Sequence, residues 1–276
     1  MSSSHTLSFA LIVNIFLFVS ACNKQPIDPG NDPNFTIVAN SDDGYGMYNR
    51  KVEVFGINIY AHRKVGDSKL LHTANILAQY LDNDEDGIAD NPLVVAKIIE
   101  NQATLGMKRS SGSWVKTPEF AQDLYDDECL PEWHSNGQTG QFDATLEEVL
   151  HVITHSGYAS AYPDALGEYQ GTDLCNAMDI ARGGQFINMP NQYPEEAWYH
   201  YDDWTCDYEC MAIEYFYWCE VSYMGILDDP QTCNGIFNEW ELCTPELFES
   251  TDVIMHSIIS NLDYKLPQNA PDGNYC

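Results

Sequence analysis

The sequence predicts an α+β fold, a mainly helical single domain with a small sheet and disulfide cross-links. Three observations carry that expectation. Residues 51–60 alternate apolar and polar side chains as a strand does, whereas 68–80, 93–99, 143–157 and 207–224 place apolar residues at helical spacing. Eight cysteines follow residue 100, namely Cys129, Cys175, Cys206, Cys210, Cys219, Cys233, Cys243 and Cys276, an even set that reads as disulfides in an exported chain. With 44% hydrophobic and 12% aromatic residues the 276-residue chain is too rich in core formers to be an acidic disordered protein.

In chain order, residues 1–21 contain no Asp, Glu, Lys or Arg, and 9–19 form an apolar run of signal-peptide length, too short to span a membrane comfortably. Val19-Ser20-Ala21-Cys22 resembles the lipobox of bacterial lipoproteins. That resemblance implies a lipoprotein signal peptide over 1–21, acylation of Cys22, and a location at the cell envelope or cell surface. A tether rich in Pro, Gly, Asn and Asp over 22–35 then leads to a folded domain at 36–276. The net charge of −30, from 42 acidic and 12 basic residues, excludes nucleic acid as the main partner and favours cations.

The strand at 51–60 and the helix at 68–80 open the domain. Next comes Asp82-Asn83-Asp84-Glu85-Asp86-Gly87-Ile88-Ala89-Asp90. Carboxylates at alternate positions of a tight loop can turn toward one hard cation, and Gly87 permits the sharp bend. The run resembles the loops of EF-hand and thrombospondin-type calcium sites, which implies Asp82, Asp84, Asp86, the carbonyl of Ile88 and Asp90 as calcium ligands. The position of the EF-hand's bidentate Glu is taken by Leu93, so a structural calcium between two helices is expected rather than a sensor. Residues 101–142 suggest only loops at 110–114 and 129–140. No repeat, phosphate-binding glycine loop or G-x-S-x-G elbow occurs.

The most informative stretch is 143–157. At about 100° per residue, Glu147, Glu148, His151 and His155 fall within one polar face, and Leu146, Val149, Leu150, Val152 and Ile153 on the other. Asp143 or Thr145 is expected to cap its start, with Glu148 completing a capping box, and Gly157 to end it. A loop over 158–171, a helix around 173–181 and a polar-aromatic run at 198–204 follow. That run suits either a cleft lining or an aromatic core wall. The helix at 207–224 is apolar almost all round, and Glu214 within it needs a partner, whether a metal ion, Arg182 or a tyrosine network.

Glu147-Glu148-x-x-His151 resembles the H-E-x-x-H helix of zinc peptidases, with Glu in place of the first His. Met211-Ala212-Ile213-Glu214-Tyr215-Phe216 is similar to the later helix from which gluzincins, lethal-factor-like ones in particular, supply a glutamate ligand. The resemblance implies a zincin-like fold with His151 and Glu214 on zinc, Glu147 at the first ligand position, and Glu148 as the catalytic base. A second register, His151-x-x-x-His155, keeps Glu148 as base and adds His155, so that Glu147, His151, His155 and Glu214 converge on one ion. The expected function is a zinc-dependent hydrolase of peptide or related acyl bonds, with His200 or a nearby tyrosine facing the oxyanion. The alternative is a non-catalytic, calcium-binding surface lipoprotein that binds a glycan or a protein through residues 198–204.

Overall fold

The structure, a computed structural model, describes residues 32–118 and 121–276. The expected signal peptide, Cys22 and most of the tether lie outside the described residues. The sheet has the order β1-β2-β3-β4-β5. Strand β2 (Arg50–Val54) pairs antiparallel with both β1 (Val38–Ala39) and β3 (Ile57–Ala61). Residues 51–60 are therefore a hairpin rather than one strand. Phe55 and Gly56, at φ 48° and 84°, turn the chain in two residues, and side-chain alternation alone cannot show that turn.

From β3 the chain crosses through α1 (Asp67–Leu81) and α2 (Pro92–Glu100) and returns as β4 (Thr104–Lys108), parallel to β3. Strand β5 (Ala121–Tyr125) then pairs parallel to β4. All five residues of β4 are buried, so it lacks the polar alternation that marks a half-exposed strand. Buried Lys108 is paired, its Nζ donating to Asp123 at 2.6 Å and Thr117 at 2.7 Å.

After α3 (Pro131–Ser135), helix α4 (Thr145–His151) continues without a break through a π-helical stretch, Val152–Tyr158, into α5 (Ala159–Ala161). Gly157 does not end the helix. A Cβ there would lie 2.7 Å from Val94 Cγ1 and 2.9 Å from Ile98 Cγ1, so the glycine lets α2 press against the π-helical backbone. The expected cap is also replaced. Ala144 occupies the N-cap position without a side-chain bond, Asp143 Oδ1 accepts the N–H groups of Leu130 and Thr145 at 2.8 and 3.2 Å, and Glu148 turns toward β5.

The remaining helices are α6 (Pro163–Leu166), α7 (Asp173–Ala181), α8 (Tyr208–Tyr223), α9 (Pro230–Ile236), α10 (Pro245–Thr251) and α11 (Val253–Ile259). Residues 158–171, expected as loop, thus include the end of the π-helix and two short helices. Helix α8 runs through the core, burying Met211, Ala212, Tyr215, Phe216, Cys219 and Val221. One hydrophobic cluster joins the sheet, α1, α4 and α8.

Cys206–Cys210 ties the approach of α8 to its first turn, and Cys233–Cys243 closes a loop of ten residues. Cys129, Cys175 and Cys219 are free and buried, which corrects the expectation that all eight cysteines pair. They serve as small apolar core side chains, and burial pushes the Cys129 thiol up to about 12. The disulfides suit an oxidising compartment. No helix among the described residues is long and apolar enough to cross a membrane.

Glu220 on α8 is fully buried, and neither carboxyl oxygen has a hydrogen-bond partner. Burial holds its pKa well above the ordinary glutamate range. Because the folded state keeps a proton that the unfolded state releases near pH 4.3, stability falls as pH rises above that point, by roughly 1.4 kcal/mol per pH unit. Glu220→Gln removes that dependence. Urea unfolding should show the variant's advantage growing from pH 5 to pH 8 until the folded wild type itself ionises; a pH-independent difference would contradict this account.

Candidate metal centre

Two helices bring three of the four predicted zinc ligands together. From α4, Glu147 and His151 stand one turn apart, and from α8, Glu214 approaches the same point, although 63 residues separate it from His151 in sequence. His151 Nε2 lies 3.7 Å from Glu147 Oε1 and 3.7 Å from Glu214 Oε2. These separations are too long for strong hydrogen bonds. They approach the roughly 3.3–3.5 Å between donor atoms arranged tetrahedrally around a zinc ion with ligands at about 2.0–2.2 Å. The three side chains form one group with ligand atoms within 4.8 Å of one another.

The surroundings raise the stakes of that convergence. Burial alone would lower the His151 pKa, but contact with Glu147 and the fields of Glu214 and Glu148 outweigh it and push it up to about 9. Burial raises Glu214, opposed by His151 and by the Tyr201 hydroxyl beside it. Glu148 is pushed up to about 8, chiefly by burial, with Glu147 adding to the rise and His151 opposing it. Three carboxyl groups crowd one imidazole, an arrangement whose repulsion a divalent cation would relieve.

Glu148 points to the neighbouring strand, where its Oε2 accepts a hydrogen bond from Gln122 Nε2 of β5 at 2.6 Å. Sequence reading missed Gln122 because nothing in 101–142 marks β5 as the strand beside α4. Beside Glu147 lies a cavity of about 290 Å³ walled by Phe142, Tyr217, Trp218, Leu227 and Ile236.

His155 does not join this group. The 100° step predicts one polar face through residue 155, but the π-helical stretch shifts the register of everything beyond His151. His155 Nδ1 instead lies 2.5 Å from Glu168 Oε2, in a group with Glu168 and Glu209. No protein-family model, curated protein or solved structure matches the chain. Any reading of the site therefore rests on its own chemistry.

The run at 198–204 is divided: Tyr199 is buried, Trp198, His200 and Tyr201 are half-buried, and Asp202, Asp203 and Trp204 are exposed, Trp204 at 81%. Tyr199 is fully buried and donates to the Met211 carbonyl at 2.7 Å, and Trp198 Nε1 donates to Asp252 at 3.1 Å. His200 Nε2 is held 2.8 Å from the Ala197 carbonyl, leaving Tyr201 as the member of the run that touches the centre through Glu214.

The acidic loop lies elsewhere, between α1 and α2. Asp82 is buried, its Oδ1 accepting the N–H of Asp86 at 3.1 Å and its Oδ2 that of Gly87 at 2.8 Å. Gly87 has φ 89°, the conformation glycine adopts without strain. Asp86 Oδ1 accepts from Ile88 N at 2.9 Å, and Asp90 Oδ2 from Asn83 N at 2.7 Å. Asp82, Asp84 and Asp86 gather carboxylate oxygens within 4.8 Å, whereas the Ile88 side chain is exposed. Partial desolvation and the fields of Asp86 and Asp90 raise the Asp84 carboxyl. The C-terminal segment is stitched to this loop: the Tyr275 hydroxyl donates to Asp82, and Asn83 Oδ1 accepts the N–H groups of Gln268 and Asn269 at 2.9 and 2.8 Å.

A group that sequence reading missed sits at the entry to α4. Asp143 Oδ2 is 2.7 Å from His72 Nε2 and 2.9 Å from His134 Nε2, with all three side chains buried. Separations this short fit hydrogen bonds donated by two imidazoles, and they join α1, α3 and the start of α4.

Proposed function

We propose that the protein is an exported zinc-dependent hydrolase of peptide or related acyl bonds, lipid-anchored through Cys22 and stabilised by a calcium loop. The observation that carries the zinc reading is the convergence of Glu147, His151 and Glu214 from two helices at separations that suit a shared cation and not hydrogen bonds. One imidazole and two carboxylates form a donor set compatible with zinc, with Tyr201 orienting Glu214 from outside. Zinc held there would polarise a carbonyl oxygen and lower the pKa of water toward about 7.

The chain's own residues supply the rest. Glu148, ionised and oriented by Gln122, takes the proton of the attacking water and returns it to the leaving amine. Since a base works only when ionised, activity rises with pH through the pKa of Glu148, and a nearby cation brings that limb below the value of about 8 set by burial. The apolar cavity beside Glu147 suits an apolar side chain of the substrate. The test is cleavage of a mixed peptide library read by mass spectrometry. Cleavage should stop with 1,10-phenanthroline and return with zinc but not calcium; cleavage indifferent to the chelator, or none at enzyme concentrations near those of the peptides, contradicts the reading.

The acidic loop is proposed as a structural calcium site in which Asp82, Asp84, Asp86, Asp90 and the Ile88 carbonyl supply oxygen, consistent with a hard cation. Its hydrogen bonds to the C-terminal segment make calcium a clasp for 265–275 as well as for α1 and α2. At saturation, calcium adds about 2.7 kcal/mol when present at 100 times its Kd. EGTA should therefore lower the melting temperature by roughly 5–10 °C and open the C-terminus to carboxypeptidase. An unchanged melting temperature would remove calcium from the account.

A further inference from the structure

We propose a second divalent transition-metal site at His155, Glu168 and Glu209, separate from the Glu147, His151 and Glu214 centre. The same two helices build both. Glu214 of α8 meets His151 of α4, and one turn back along α8, Glu209 approaches His155 of the π-helical stretch. Glu168 comes from the turn after α6 and completes the second group, with ligand atoms within 4.8 Å.

Glu168 is what sets this group apart from an acidic patch. Its side chain is 4% exposed, Oε2 contacts His155 Nδ1 at 2.5 Å, and Oε1 is buried without a hydrogen-bond partner. A buried carboxylate with one oxygen unsatisfied is costly unless something cationic meets it. The Nδ1 contact is a proton-bridged one, and a divalent cation that displaces this proton meets both His155 Nδ1 and the Glu168 carboxylate after a small separation of the two. His155 Nδ1, the Glu168 carboxylate with its otherwise unsatisfied Oε1, and a Glu209 oxygen are the donors offered to that cation, a set in which imidazole favours a transition metal over calcium.

The position is accessible. All three residues line a cavity of about 970 Å³, and the His155 side chain is 48% exposed. Asp207 adds a further carboxylate to the lining, and no Lys or Arg lines it among the described residues. Such a lining concentrates cations. A cation at its floor would give this acidic cavity a point of attachment for a carboxylate or phosphate group.

The experiment is equilibrium dialysis of the full chain against zinc in calcium-containing buffer. Wild type should bind two equivalents, and His155→Ala with Glu209→Gln one. The His151→Ala, Glu214→Ala variant should retain one equivalent, whose affinity falls at least tenfold on adding Glu209→Gln. Glu209 is exposed, so that substitution does not threaten folding. If zinc binding is unchanged by His155→Ala with Glu209→Gln, the second site is wrong while the first stands. If those substitutions remove all the zinc that wild type binds, the second site stands and the first is wrong.

Discussion

Glu148→Gln should abolish hydrolysis, with kcat falling by roughly 10²–10⁴, while leaving zinc bound. The substitution keeps the shape and the contact with Gln122 Nε2, at 2.6 Å in the wild type, but an amide cannot take a proton from water. Glu147, His151 and Glu214 are untouched, so metal content stays at the wild-type level. Kinetics and metal analysis on one preparation separate the two effects. Retained activity would refute Glu148 as the base, and zinc lost together with activity would move Glu148 into the ligand set.

The second large effect concerns the support of α4. Asp143→Ala should lower stability by roughly 3–5 kcal/mol, because it leaves two buried imidazoles and two backbone N–H groups without their common acceptor. Burial by itself would raise the Asp143 pKa, but hydrogen bonds from His134, His72 and Leu130 N hold the carboxyl far below the usual aspartate range. The sign follows from linkage. A depressed folded pKa contributes stability that is present above the unfolded pKa, near 3.9, and is lost as pH falls below it, by roughly 1.4 kcal/mol per pH unit. Wild type should lose stability along that slope between pH 4 and pH 2, and the variant less steeply. Urea unfolding at pH 7 and pH 3 reads both; a cost below about 1 kcal/mol at pH 7 rules the clamp out as a stabiliser. Since Asp143 lies two residues before α4, the variant should also bind zinc more weakly.

What was legible in the sequence follows the range of each interaction. Helices α1, α7 and α8 are visible because their apolar residues repeat within a few positions, and the acidic loop because its carboxylates and Gly87 lie within nine residues. Glu147 and His151 are visible as i, i+4 neighbours, and Glu214 stands out as a carboxylate inside an apolar helix. Gln122, Glu168 and the His72, His134 and Asp143 clamp depend on approaches across 9 to 71 residues, which no local pattern encodes. Strand β4 stayed hidden because it is buried on both faces. The π-helical register escaped because its cause is tertiary: α2 packs onto Gly157, and a uniform helical step then misassigns His155. The zincin-like expectation reduces in the same way to one observable, the meeting of α4 and α8 at His151 and Glu214.

That meeting is tested most directly by elemental analysis of the purified protein. Wild type is predicted to carry one more equivalent of zinc than the His151→Ala, Glu214→Ala variant, at equal calcium content. Identical zinc in the two proteins would contradict the metal centre.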